Sequence, residues 1–221
     1  MVITYLWQFA LACVAGYLVG NICGAVILSR LLMRSDIRKL GSNNAGTTNM
    51  TRVFGLKYGI ATFLIDLLKA VVCVFVCKYV MSTVGGTEAG LFAGYLAGLA
   101  VIAGHNYPVL LGFKGGKGFA SGIGVLIVLQ PLPTLIILSG GILLLLIVDR
   151  MSIFALAFFV AEALYTWIYD PAKTLWIPLF VTLYLLLAVI AHWPNIQRLA
   201  RGQEQPLGIL RRIRAGVKHS Q

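Results

Sequence analysis

The sequence predicts an all-α, polytopic integral membrane bundle of about seven transmembrane helices, and three observations predict it. Of 221 residues, 59% are apolar and 11% charged, whereas soluble domains carry nearer a quarter charged. The apolar residues gather into runs that can each cross a bilayer at roughly 20 residues, enough for about six or seven crossings and no separate soluble domain. Lys and Arg are unevenly divided between alternate loops, as in oriented spanning helices. Residues 1–221 are therefore read as a single transmembrane domain whose chemistry sits in the membrane or at its surface.

Taken in order, the candidate spans are about 3–29, 59–81, 88–105, 117–130, 132–149, 152–169 and 173–192. The first 29 residues contain no Lys, Arg, Asp or Glu. With no charged leading region and too long an apolar run for a signal peptide, they read as a retained transmembrane helix. The apolar stretch from Phe119 to Val148 would suit one helix, but Gln130, Pro131 and Pro133 in its middle favour a tight turn between two. Lys and Arg then number fifteen on one side (Arg30 to Lys57, Lys114, Lys117, Arg150 and the tail from Arg198 to Lys218) against Lys78 and Lys173 on the other. This places the N-terminus outside and the C-terminus in the cytoplasm, so that segments 30–57, 106–118 and 193–221 converge on the cytoplasmic face. The late tail, with Arg211, Arg212, Arg214 and Lys218, reads as a basic segment held near anionic headgroups.

A net charge of +11 invites a nucleic-acid reading, but the basic residues form no soluble, aromatic-interleaved face. Membrane orientation and anionic substrates account for them better. Cys13, Cys23, Cys73 and Cys77 lie inside apolar stretches without CxxC or a nearby histidine and read as small core hydrophobes. Cys73 and Cys77, four apart, leave a metal or disulfide reading open. No metal and no cofactor is expected.

Three polar blocks could carry chemistry. From Asp36 to Arg52 the chain reads D-I-R-K-L-G-S-N-N-A-G-T-T-N-M-T-R, a concentration of hydroxyl, amide, glycine and arginine donors that outlines an oxyanion or phosphate site. A solvated connecting loop is the plainer alternative. The second block is G-H-N-Y-P at Gly104 to Pro108 followed by G-F-K-G-G-K-G at Gly112 to Gly118, running into the fourth span. A Gly-Lys turn before a helix start offers free N–H groups, a positive helix end and two ammonium charges. It is not a Walker loop, because Gly118 stands where the hydroxyl residue belongs. The third block, His192 to Glu204, places His192, Asn195 and Arg198 at three-residue spacing, so that a helical turn would align them. Asp66 and Lys69 share a helix face and must point into the bundle, as brace or catalyst, and Glu162 is the lone acid of the sixth span.

In this order and at these separations, the blocks resemble the bacterial acyl-phosphate:glycerol-3-phosphate acyltransferases, integral membrane enzymes that make lysophosphatidate. The matching text is the Asp36–Arg52 run with the later D-L-L-K, then G-H-N-Y-P…F-K-G-G-K-G-F-A-S, then H-W-P-N-I-Q-R-L…G-Q-E. The resemblance implies a seven-helix bundle in the bacterial inner membrane with a cytoplasmic active site, acyl phosphate rather than a thioester as donor, and no metal. It also implies catalytic roles for Ser42, Arg52, His192 and Asn195. Substrate-binding roles fall on Asn44, Thr48, His105, Lys114, Gly115, Gly116, Lys117, Gly118 and, more loosely matched, Ser152, and a structural role on Glu204. The chain departs from the family at Gly20 to Gly24, which lacks a usual proline, and at Thr47, Ala70, Trp193 and Gln203.

By this resemblance Arg52, Ser42, His192 and Asn195 hold glycerol 3-phosphate, while the Lys114–Gly118 loop and Thr48 hold the acyl phosphate, whose chain lies between helices. The proton of the attacking hydroxyl goes to His192 or to a donor phosphate oxygen. A Ser42 acyl-enzyme is the third route, since no activating triad is near it in sequence. The His-x₄-Asp pair of other glycerolipid acyltransferases is absent, because Leu110 and Gln197 stand five residues after the two histidines. A transporter or channel with Asp66, Lys69 and Glu162 along a polar path is the alternative from another class.

Overall fold

The computed structural model describes residues 3–169 and 174–208; Lys173 and the basic residues from Arg211 to Lys218 lie outside them. Among the described residues there are helices and no strands. The first apolar run is not one helix. It divides into α1 (Leu6–Gly20) and α2 (Gly24–Met33). Hydropathy has no way to register this break, because residues 21–23 are flanked by apolar side chains on both sides. The break is a packing event: a Cβ on Gly20 would lie 2.5 Å from the Val101 carbonyl. Two carbonyls at the break, those of Gly20 and Ile22, accept from Lys69 Nζ. At membrane depth an unpaired carbonyl costs several kcal/mol, so the buried ammonium stabilises the bend.

The loop expected to be purely irregular contains a short helix, α3 (Thr47–Phe54). It is followed by α4 (Leu56–Asn106), which holds the second and third expected spans as two arms folded back at Gly86, φ +82°. That backbone conformation favours glycine. The arms run side by side: the site of a Cβ on Gly94 approaches Lys78 and Val74, and that on Gly90 approaches Ser82. Then come α5 (Phe119–Leu129) and α6 (Pro131–Val148), meeting at Gln130 as expected. Pro131 and Pro133 sit in the first turn of α6, where a missing N–H has no intrahelical partner to lose. Finally α7 (Met151–Tyr169) is followed by α8 (Trp176–Ala191) and α9 (Trp193–Ala200), the last pair bent by 62°.

Four stretches, Leu6–Met33, Leu56–Leu111, Pro131–Val148 and Met151–Tyr169, are long and apolar enough to cross a membrane, and the bent α8–α9 pair makes a fifth. Leu56–Leu111 contains the reversal at Gly86, and Phe119–Leu129 is a shorter apolar helix. The molecule turns a large apolar surface outward. Trp7, Leu11, Ile136, Leu143 and Ile147 are all exposed, which water would penalise and hydrocarbon does not. Inside, Tyr95, Tyr184, Phe158 and Phe159 are fully buried. Tyr184 donates to the Tyr95 carbonyl at 2.6 Å, and Gln130 donates to the Tyr95 hydroxyl at 2.7 Å.

Candidate active site

The first polar block owes its shape to two side chains. Asp36 accepts the Arg38 N–H at 3.0 Å and caps the 3-10 turn Ile37–Lys39, while the Arg38 guanidinium folds back onto both its oxygens. The guanidinium holds the Asp36 carboxyl well below the usual carboxylate range. Arg38 also donates to the Leu111 carbonyl at 2.7 Å, tying the first block to the second. Asn49 organises the rest. Its Oδ1 accepts the Ser42 N–H at 3.0 Å, and its Nδ2 donates to the carbonyls of Leu40 and Asn44 at 2.9 and 3.0 Å. Fully buried, Asn49 is the hub that presents Ser42, Asn44 and Thr48.

The second block departs from expectation. The Gly116 N–H is already given to the His105 carbonyl at 3.0 Å, and a Cβ on Gly116 would lie 2.1 Å from His105 Nε2. A Cβ on Gly115 would lie 2.0 Å from the His105 carbonyl. These glycines let the loop lie directly on His105; they do not form an open phosphate nest. Lys114 is exposed, and its carbonyl accepts from Arg38. Lys117 and Gly118 face the opposite way, just before α5 begins at Phe119.

The third block supplies the remaining wall. At the α8–α9 bend the Nδ1 of His192 lies 2.9 Å from the Ala188 carbonyl. A carbonyl only accepts, so Nδ1 carries the proton and Nε2 keeps its lone pair. Asn195 bridges two charges: its Oδ1 accepts from Lys117, and its Nδ2 donates to Glu204 at 2.6 Å. Glu204 also accepts from Ser152 at 3.0 Å and Arg198 at 2.9 Å. Burial works against its ionised form, yet the bonds from Asn195, Arg198 and Ser152 hold its carboxyl below the usual value. Burial, with Arg198 and Arg52 nearby and Glu204 opposing them, pushes Lys117 down to about 8.

Residues 203–208 run as a strap along the cavity. Gln203 N–H bonds the Arg198 carbonyl, Arg52 reaches the carbonyls of Gln205 and Pro206 at 3.2 and 3.4 Å, and Asp149 accepts the N–H groups of Leu207 and Gly208. The cavity has a volume of about 700 Å³. Its wall includes Ser42, Asn44, Thr48, Arg52, His105, Lys117, Gly118, Ser152, His192, Asn195 and Glu204, all singled out from sequence. Lys114, Gly115 and Gly116 are not on it. Arg198, Asn49 and the strap anchor Asp149 were given no role in advance; Arg198 alone carried a signal, its spacing from His192 and Asn195. Three cations on the wall, Arg52, Lys117 and Arg198, lie near one another, and Phe63, Phe119, Met151 and Ala155 join the lining to the main hydrophobic core. No three His, Cys, Asp or Glu side chains gather to hold a metal among the described residues.

The family model of glycerol-3-phosphate acyltransferase matches residues 10–202, nearly the whole of this architecture. The chain belongs to the glycerol-3-phosphate acyltransferase family. It is 37% identical to the glycerol-3-phosphate acyltransferase of Finegoldia magna, over 92% of this chain and 98% of that one. The Agrobacterium fabrum enzyme of the same name is 39% identical over 91% and 96%. A crystal structure of PlsY (YgiH), an integral membrane glycerol 3-phosphate acyltransferase, in its glycerol 3-phosphate form superposes with a TM-score of 0.81 at 28% identity, covering 93% of this chain and 98% of that one. Its lysophosphatidic acid form gives 0.75 over 90% and 94%.

As an acyltransferase of this family, the chain is a multi-pass membrane enzyme, and its departures find local reasons. Asn21, within the stretch that lacks the family's usual proline, donates to the Tyr17 carbonyl at 2.7 Å and accepts the Leu110 N–H at 3.1 Å, bracing the α1–α2 break against the second block. Ala70 packs its methyl group against Gly124. Asp66 and Lys69 pair at 3.2 Å inside the bundle, and Glu162 is fully buried on α7 away from the cavity wall.

Proposed function

We propose that the chain transfers a fatty acyl group from acyl phosphate to the sn-1 hydroxyl of glycerol 3-phosphate, yielding lysophosphatidate and inorganic phosphate. The observation that carries this reading is the mixed lining of one cavity, which joins the neighbouring cations Arg52, Lys117 and Arg198 to the core residues Phe63, Phe119, Met151 and Ala155. Two phosphate-bearing partners repel one another, and three cations in a partly dehydrated site offset that repulsion while aligning them. The apolar part of the lining suits an acyl chain. Glycerol 3-phosphate is held by Arg52, Ser42, His192 and Asn195, and the acyl phosphate by Lys117, Gly118 and Thr48.

In the reaction the hydroxyl oxygen forms a bond to the acyl carbonyl carbon, the carbon–oxygen bond to phosphate breaks, and phosphate departs. The hydroxyl proton passes to His192 Nε2 or to a phosphate oxygen. Full turnover of a His192→Ala variant at saturating substrate would leave the phosphate as acceptor. Seven crossings with the N-terminus outside, and the cavity open to the cytoplasm at a bacterial inner membrane, complete the proposal. That arrangement gives a water-soluble acceptor direct access.

The test is the full-length chain reconstituted in lipid with labelled glycerol 3-phosphate and, in parallel, acyl phosphate or acyl-CoA. Lysophosphatidate forms with acyl phosphate alone; product from acyl-CoA alone would overturn the donor assignment.

A further inference from the structure

Behind the cavity, Asp66 and Lys69 form a buried cluster with His105 at the α1–α2 break. Lys69 Nζ lies 3.0 Å from the Gly20 carbonyl, bonds the Ile22 carbonyl, and is 3.2 Å from Asp66 Oδ1 and 2.9 Å from His105 Nδ1. An ammonium has donors and no acceptor. Flanked by a carboxylate and two carbonyls, Lys69 meets the His105 Nδ1 only through that nitrogen's lone pair. Asp66 Oδ1 stands 3.6 Å from Nδ1, beyond hydrogen-bond reach, and accepts the Gly24 N–H at 3.2 Å.

A neutral imidazole carries one proton, and with Nδ1 accepting it resides on Nε2. This nitrogen lies beneath Gly116, where the first and second polar blocks meet, and no protein acceptor among the described residues bonds it. His105 lines the cavity. His192, on the same cavity, is set the opposite way by the Ala188 carbonyl, with the lone pair on Nε2. One wall thus carries two histidines whose backing groups assign them opposite polarity.

We propose that Lys69 is a positioning residue that fixes His105 as the neutral Nε2–H tautomer, so that His105 donates a hydrogen bond to a substrate phosphate oxygen and exchanges no proton. The phosphate part rests on the acyl-transfer reading; the tautomer part does not.

The test is long-range proton–nitrogen magnetic resonance of the full-length protein in micelles, labelled with ¹⁵N-histidine. The chain has three histidines, His105, His192 and His219, and loss of a signal in His105→Gln assigns it. The wild-type His105 signal has the Nε2–H pattern; an Nδ1–H or imidazolium pattern would overturn the proposal without any variant. Replacing both buried charges together, Lys69→Met with Asp66→Asn, turns the signal into a tautomer mixture. The same pair raises the KM for one of the two phosphate substrates in inverse proportion to the Nε2–H fraction that remains, about twofold for an even mixture. Whichever KM responds identifies the phosphate. In a His105→Ala background the pair leaves that KM unchanged. Fully additive losses would reduce Lys69 to a general brace and overturn the proposal. A wild-type protein inactive with every donor would sink the acyl-transfer reading while leaving the tautomer to the spectrum.

Discussion

Lys117 and Glu204 occupy opposite ends of one amide, the side chain of Asn195, and each is tuned by what surrounds it. With Lys117 lowered to about 8, its charge is present at neutral pH and lost as pH rises through that value. Deprotonation removes a cation from the cavity, so kcat/KM for the phosphate substrates falls above about pH 8, as a pH–rate profile will record. Bound phosphate favours the ammonium, so kcat itself holds to higher pH. Lys117→Arg moves that limb upward, since guanidinium stays charged. Glu204 is assigned no contact with substrate, yet it orients Asn195, Ser152 and Arg198 at once. Glu204→Ala leaves all three without their shared acceptor. A loss of about ten- to a hundredfold in kcat/KM follows from the usual cost of unmaking charge-assisted hydrogen bonds, measurable in the reconstituted assay. That Ser42, Arg52, His192 and Asn195 share one cavity wall was legible from the polar blocks through family resemblance; the part played by Asn49 was not. Asn49 acts by carbonyls scattered across its own loop, a pattern that spacing does not encode.

At the scale of elements, the glycine-rich turn and the broken first helix are two results of one requirement, close backbone approach. Gly116 sits against His105 Nε2 and the Ala45 carbonyl with no room for a methyl group. Gly116→Ala therefore overpacks the loop at a cost of about 1–3 kcal/mol, read as a lowered thermal midpoint in detergent together with reduced activity. Sequence suggested that the run was a phosphate nest, because Gly and Lys before a helix start commonly make one. What it could not express is that the Gly116 N–H was already taken. The α1–α2 break escaped hydropathy for a related reason: the cause of the break lies at Val101, Gly104 and Lys69, far along the chain. The helices α3 and α9 were likewise read as loops or left open, since eight residues are fewer than periodicity needs to mark a helix.

For the whole molecule, the outward apolar surface and the gathering of three polar blocks at one end are two sides of the same partition. Residues exposed to water near the cavity should share one side of the bilayer, and the reversal at Gly86 should lie on the other. Single cysteines at Asn43, Lys114 and Arg201 will react together with a membrane-impermeant maleimide in sealed, right-side-out vesicles only when the cytoplasmic face is opened. A cysteine at Thr87 will react from outside. Labelling of Asn43 and Arg201 positions from opposite sides would separate the blocks that form the cavity wall.

Composition alone determined that this chain is a helical membrane protein, because a bilayer demands long apolar runs and leaves few other ways to satisfy the backbone. Through resemblance, the order of its polar blocks pointed to the family. Only tertiary structure decided which of those polar residues face the cavity, which glycines serve packing, and which nitrogen of each histidine is backed by a donor or an acceptor. Those outcomes depend on distances of a few ångströms between residues as far apart as Lys69 and His105 or Ser152 and Glu204, and hydrogen bonds lose their force over a fraction of that distance.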